Sequence, residues 1–255
     1  MNIIDSTGVA KITAYTQTEI GKLAFFSDKF FDDLTTETIT IVVERNGANN
    51  SNVTKGEVLL KDYILALTYG KEAVGSFPAS HYESFKTAVI TELSELGNVE
   101  LSGSDKITIT LANLDLAKRY VIDGIICEDT NDDLSDLIHV EEKIISADQK
   151  DVTISVDDSD VVVMDDIPEI KEVNLTYGNG KITKHTMREL RMMSVDDDPV
   201  AYVRNDYKVY SSYLGKLQID TKRIKAINVV KDPIVQVKML IRFDVQQQNL
   251  GLIKH

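Results

Sequence analysis

The chain has 255 residues, 43% hydrophobic and 27% charged, with a formal net charge of −13. That length holds one large domain or two of ordinary size, each with its own core, and the composition is globular. The negative total argues against a broad phosphate-binding field and against charge-driven docking on an anionic membrane, and the single cysteine excludes an intrachain disulfide and a cysteine-based zinc site.

Met1 to Asp5 shows no basic region followed by an apolar run, and no stretch approaches the roughly 20 apolar residues of a membrane span. Folding in the cytosol is therefore the expectation. From Val9 to Tyr15 the residues alternate with the two-residue period of a half-buried strand, and Thr38 to Glu44 does the same. A short helix is expected across Val58 to Leu67. Ser80-His81-Tyr82-Glu83 has the form of a capping box; beyond it Tyr82, Phe85, Val89, Leu93 and Leu96 share one helical face, and Gly97 supplies a stop. A longer helix is predicted there.

Strands are then expected at Val99 to Leu101, Lys106 to Leu111 and Tyr120 to Cys127, the last making Cys127 a buried, inert thiol. Glu128 to Lys150 opens on an acidic, turn-rich run and reads as a boundary, giving a first unit over 1–130, an acidic linker over 131–150 and a second unit over 151–255. Further strands are predicted at Val152 to Val156, Val161 to Met164, Glu172 to Tyr177, Leu217 to Ile219, Ile224 to Val230 and Val235 to Val245, with a helix across Thr186 to Met193. Tyr207, Tyr210 and Tyr213 fit one face of another helix. Many strands are rich in Val, Ile and Thr, so the class is all-β, a sandwich or barrel with short helical insertions.

The two units resemble each other. Phe31-Asp32-Asp33-Leu34 leads through a strand to Asn46-Gly47, and Met164-Asp165-Asp166-Ile167 leads through a strand to Asn179-Gly180, at a constant offset of 133 residues. A helix follows each, Leu60 to Leu65 against Met187 to Met192, with Lys61-Asp62 matching Arg188-Glu189 in sign. Leu96-Gly97 and Leu214-Gly215 then precede short apolar strands and a long closing strand. Asn-Gly supplies the positive φ angles of a tight turn, and Asp-Asp ends a strand by bonding to its own backbone. What repeats is scaffold.

No constellation for catalysis stands out. His81, His139, His185 and His255 are scattered, so a cupin-type metal site is not expected, and no nucleophile elbow, P-loop or dinucleotide fingerprint is present. The expectation is a protein that is not an enzyme. Lys216, Lys222, Arg223 and Lys225 read as a solvated strand face and turn. Asp129, Asn131, Asp132 and Asp133 form the first of three acidic clusters, with Asp157, Asp158 and Asp160, and Asp196, Asp197 and Asp198. Oxygen ligands at that density can hold Ca²⁺, although none fits the EF-hand spacing and Asp runs are more often solvated turns. No other cofactor is expected.

Two β-rich units in tandem, most alike at Asn46-Gly47 to Leu67 and at Asn179-Gly180 to Met193, resemble the double jelly-roll major capsid proteins of tailless, membrane-containing, corticovirus-like bacteriophages. Asn205-Asp206-Tyr207 to Leu214-Gly215 is similar to part of that family's second jelly roll. The resemblance implies two tandem eight-stranded jelly rolls in a structural capsid protein made in the host cytoplasm and located in the virion. It implies homotrimers of pseudo-hexagonal outline tiling an icosahedral shell over an internal membrane, with trimer–trimer contacts, other virion proteins at the vertices and membrane, and no nucleic acid. The alternative is a tandem β-sandwich binding module, such as a phage receptor-binding or carbohydrate-binding protein; the lack of tryptophan weakens a sugar-stacking role.

Overall fold

The structure is a computed structural model that describes the chain except for residues 47–49, 70–73, 78–83, 95–96, 129–136, 197–200, 205–207, 212–214 and 244–255. In chain order the first half contains β1 (Asn2–Thr7), β2 (Lys11–Thr16), β3 (Lys22–Ser27), β4 (Thr38–Glu44), β5 (Ser51–Asn52), β6 (Thr54–Lys55), β7 (Val58–Leu59), α1 (Leu60–Thr68), β8 (Gly75–Phe77), β9 (Phe85–Glu92), β10 (Lys106–Ala112) and β11 (Arg119–Ile125). One sheet runs β1-β11-β3-β9-β8; the other runs β2-β10-β4-β5, with β7 also on β4.

The second half contains β12 (His139–Ile145), β13 (Asp151–Ser155), β14 (Ser159–Asp165), β15 (Ile170–Tyr177), β16 (Ile182–His185), α2 (Met187–Asp196), β17 (Ala201–Arg204), β18 (Lys208–Ser211), β19 (Lys216–Asp220), β20 (Ile224–Lys231) and β21 (Val237–Phe243). Its sheets run β19-β14-β21-β12 and β13-β20-β15-β16. In each half the first strand lies beside the last, the last beside the third, and a helix precedes the strand at the far side of that sheet. This is the jelly-roll order twice over, all-β with short helical insertions.

Alternation builds each sandwich. Ile39, Ile41 and Val43 of β4 and Ile107, Ile109 and Leu111 of β10 point into the first core, each at most 2% exposed. Val173 and Leu175 of β15 with Ile227 and Val229 of β20 do the same in the second. Burying each such side chain contributes about 1.5–3 kcal/mol. The 133-residue offset is visible in the fold, since β4 and β15 both end at matched positions, Glu44 and Tyr177. Gly180 takes φ +80° in the turn between β15 and β16, its N–H donating to the Tyr177 carbonyl at 2.8 Å. Gly47 lies outside the described residues.

Several sequence expectations are corrected. Phe85 to Glu92, predicted as helix, is β9; Phe85, Thr87, Val89 and Thr91 are buried in alternation, and β9 pairs with β3 along its length. The β-branched Thr87, Val89, Ile90 and Thr91 favour a pleated surface over a helix, where their χ1 freedom is restricted. The capping box Ser80 to Glu83 lies outside the described residues. Val99 to Leu101 is irregular, although Val99 is buried and donates its N–H to the Ile20 carbonyl at 2.9 Å. The segment around Tyr210 is a β17–β18 ribbon, not a helix, while Tyr207 and Tyr213 lie outside the described residues.

The two Leu-Gly pairs are not equivalent: Gly97 follows β9, whereas Gly215 precedes β19, the strand that corresponds to β9. Both glycines have φ +77°. The stretch expected as an acidic linker contains β12, a full member of the second sandwich.

Gly21 sets the end of the first sandwich. Its N–H donates to the Ile125 carbonyl at 3.0 Å and its carbonyl accepts the Leu93 N–H at 2.8 Å. A Cβ there would sit 2.2 Å from the Gly97 carbonyl oxygen and 2.6 Å from Cys127 Sγ. Gly21→Ala is therefore expected to cost about 1–3 kcal/mol through backbone displacement. A denaturant midpoint equal to that of the parent protein would contradict this close packing.

Candidate functional site

The contact that joins the two sandwiches gathers buried charged side chains from both halves of the chain. The helix α1 belongs by sequence to the first half, yet all its residues but Lys61 are buried. Val161 and Val163 of β14, Val140 of β12 and Leu240 of β21 join the same apolar cluster as Tyr63, Ile64 and Leu65. Their neighbours Val162, Met164, Met239 and Ile241 belong to the second core instead. The sheet β19-β14-β21-β12 thus buries one face in its own sandwich and the other against α1. An unbroken Val161-Val162-Val163-Met164 is what a strand covered on both faces requires.

Ionic contacts hold both ends of α1. Near its start, Lys216 of β19 donates from Nζ to Asp62 Oδ2 at 2.9 Å and to Asp165 Oδ1 at 2.6 Å. Asp165 Oδ2 accepts the Lys238 backbone N–H at 2.7 Å, and Lys238 Nζ lies 3.7 Å from Glu142 Oε2. Towards the other end, Arg242 of β21 donates from Nη1 to the Ala66 carbonyl at 2.7 Å, and from Nε to both oxygens of Asp160 at 3.0 and 2.9 Å. Its Nη2 also bonds Asp160. A cation on the last carbonyls of a helix satisfies orphan acceptors and complements the dipole. Arg242 and Asp160 are each 5% exposed, so the pair is desolvated.

Backbone pairing continues the contact. Strand β6 runs parallel to β12, matching Thr54 with Val140 and Lys55 with Glu141. The Val140 N–H donates to the Val53 carbonyl at 2.7 Å, the Ile138 N–H to the Leu93 carbonyl at 2.9 Å, and Lys55 Nζ reaches Glu141 Oε1 at 2.8 Å. Helix, sheet edge and ions together join the two sandwiches.

Burial works against the charge on Lys216, but Asp62 and Asp165 outweigh it and hold the ammonium above its ordinary pKa of 10.5. Burial pushes the Glu142 carboxyl up. Because folding raises the Lys216 pKa, its stabilisation is complete below pH 10.5 and is lost as pH rises through the higher folded value. The melting-temperature advantage of the parent protein over Lys216→Met should therefore shrink above about pH 10.5. Thermal melts of both proteins across that range test it; an unchanged gap would remove the buried trio from the account.

The sequence-predicted residues fall elsewhere or take other roles. Lys216, expected on a solvated face, is instead the centre of the buried trio, because β19 turns it towards α1; Lys225 stays exposed near Asp157. Cys127 lies beyond the end of β11, half-buried, with its N–H and carbonyl clamped by the Asn98 side chain at 2.8 and 3.0 Å; the strand expected to bury it stops at Ile125. His139 bonds the Asn52 carbonyl at 2.7 Å and His185 bonds Thr183 at 2.8 Å. His81 and His255 lie outside the described residues.

Asp129, Asn131, Asp132 and Asp133, the calcium candidates, also lie outside the described residues, as do Asp197 and Asp198. Among the described residues no group of three or more His, Cys, Asp or Glu is arranged to hold a metal ion. Asp158 makes a turn at φ +64°, while Asp160 is the partner of Arg242. The second Asp-Asp pair does more than end a strand: Asp165 binds Lys216, and Asp166 takes Arg191 Nη2 at 2.7 Å.

No family model matches the sequence, and no curated protein matches it. Among solved structures, the major capsid protein of bacteriophage PM2 matches 94% of this chain and 94% of its own, at 8% identity with a TM-score of 0.54. A chain in the atomic structure of Sulfolobus Turreted Icosahedral Virus matches over 99% of this chain and 91% of its own, at 10% identity with a TM-score of 0.57. The likeness is one of fold, and its coverage extends through both sandwiches.

Proposed function

We propose that this chain is a structural major capsid protein whose two jelly rolls, divided between β11 and β12, act as adjacent blocks of a viral shell. The observation that carries the reading is the match of fold, over 94% of this chain and so through both sandwiches, to the major capsid protein of bacteriophage PM2. A shell block needs two units held at a fixed angle, and the α1 junction supplies that rigidity. Three copies close into a trimer of pseudo-hexagonal outline, and trimers tile an icosahedral shell over a membrane, meeting other virion proteins at the vertices and at the bilayer. The location is the virion, after synthesis in the host cytoplasm.

The net charge of −13 keeps unassembled copies apart, and divalent ions on the acidic run of Asp129, Asn131, Asp132 and Asp133 would relieve that repulsion between trimers. Light scattering tests the reading. A mass three times the 28.5 kDa of the chain is expected, growing further on addition of Ca²⁺. A monomer at every concentration would overturn the capsid reading, and a trimer indifferent to Ca²⁺ would remove only the ion.

A further inference from the structure

The two sandwiches close corresponding turns with opposite charges. In the first, Asp105 immediately precedes β10 and lies beside the turn that follows β4. Its carboxylate accepts the Asn46 N–H at 2.7 Å, the Ser102 N–H at 3.2 Å and Arg45 Nη1 at 3.3 Å. Asp105 is 4% exposed, so the first sandwich carries a built-in oxyanion at this turn.

In the second sandwich the residue immediately before β20 is Arg223, a cation where the first has a carboxylate. The main chain keeps the arrangement. Lys106 pairs with Glu44, the last residue of β4, and Ile224 pairs with Tyr177, the last residue of β15. The Gly178 N–H donates to the Arg223 carbonyl at 3.1 Å. What changes is the set of groups left over. Arg223, Lys181, Tyr177, Asn179 and Thr183 line one recess of about 630 Å³ with no carboxylate in its wall. Neighbouring cations are neutralised, Lys184 by Glu172 and Lys225 by Asp157, whereas Lys181 and Arg223 have no acidic partner among the described residues. The Asn179 N–H, counterpart of the Asn46 N–H, donates to no group among the described residues. Asn179 Oδ1 accepts the Lys181 N–H at 3.0 Å, which leaves Nδ2 as a further donor.

A planar guanidinium matches a carboxylate or phosphate with two parallel hydrogen bonds, and a second cation with neutral donors completes such a site. In a chain of net charge −13, two unpaired cations on one recess make a local field opposed to the total. We propose that this recess is an oxyanion site: it takes from outside the chain the carboxylate or phosphate group that Asp105 supplies from within in the first sandwich. Arg223 and Lys181 supply the charge, and Asn179 with the Tyr177 hydroxyl orients the oxygens.

Inorganic phosphate titrated calorimetrically into the full chain at constant ionic strength tests this. Saturable binding at one site per chain is expected. Arg223→Gln should weaken it about tenfold or more, the loss of a charge-assisted hydrogen bond. Lys225→Gln removes a charge outside the recess and should leave the affinity unchanged. Arg223→Asp restores the charge of the first sandwich and should abolish phosphate binding while keeping the parent melting temperature. Light scattering of the same solutions identifies the source of the group. A parent mass lowered by phosphate assigns the site to a carboxylate of a second copy, and an unchanged mass assigns it to a free anion. Absence of saturable binding, or a loss in Lys225→Gln equal to that in Arg223→Gln, would overturn the site and leave the capsid reading untouched.

Discussion

Replacing Arg242 with methionine is expected to lower the unfolding free energy by about 3–5 kcal/mol. The side chain is 5% exposed and its guanidinium is shared between the Asp160 carboxylate and the Ala66 carbonyl. Removing it leaves a buried carboxylate without a counter-ion and a helix carbonyl without a donor, and those penalties exceed the loss of the attraction itself. A second substitution separates the two contributions. Arg242→Met with Asp160→Leu removes both charges and should recover most of the loss, because a buried ion pair and an apolar pair of similar volume are often close in energy. Denaturant titration of the three proteins makes the comparison. A single variant as stable as the parent would mean that the pair does not hold α1.

Leu240→Ala is expected to cost about 2–5 kcal/mol, the range for a buried leucine truncated to alanine. Its distinctive feature is where the loss is felt. Leu240 belongs by sequence to the closing strand of the second sandwich but packs, at 2% exposure, in the cluster that contains α1 and the first core. A cavity there should weaken both halves together. Hydrogen exchange reads this directly: amides of β10 and β20, on the far sheets of the two sandwiches, should lose protection in parallel. Loss confined to β20 would show that the halves unfold independently.

The fold was legible where one face of a strand meets water. Thr38 to Glu44, Lys106 to Leu111 and Ile224 to Val230 alternate, and all three are strands. It was illegible where both faces are covered or where charge is buried. Lys22 to Ser27 is nearly continuous in apolar residues and shows no two-residue period. His139 to Ile145 carries Glu141, Glu142 and Lys143 and reads as part of an acidic linker, although Glu142 serves the ionic junction. Phe85 to Glu92 shows how a helical spacing of apolar residues coexists with a two-residue period in one segment, and the partner strand decides.

The junction itself left only an oblique trace. Asp62, Asp165, Lys216, Asp160 and Arg242 are spread over some 180 positions of sequence, and no local pattern links them. A usable sign was Val161 to Met164, four consecutive apolar residues in a strand whose sheet is covered on both faces.

Electron microscopy of the concentrated protein tests the central claim most directly. If two rigidly joined jelly rolls form a shell block, particles should appear as rings of six similar lobes, three copies of two sandwiches each, packing into hexagonal sheets or closed shells. Single two-lobed particles at all concentrations, or rings with lobes that are not in pairs, would contradict it.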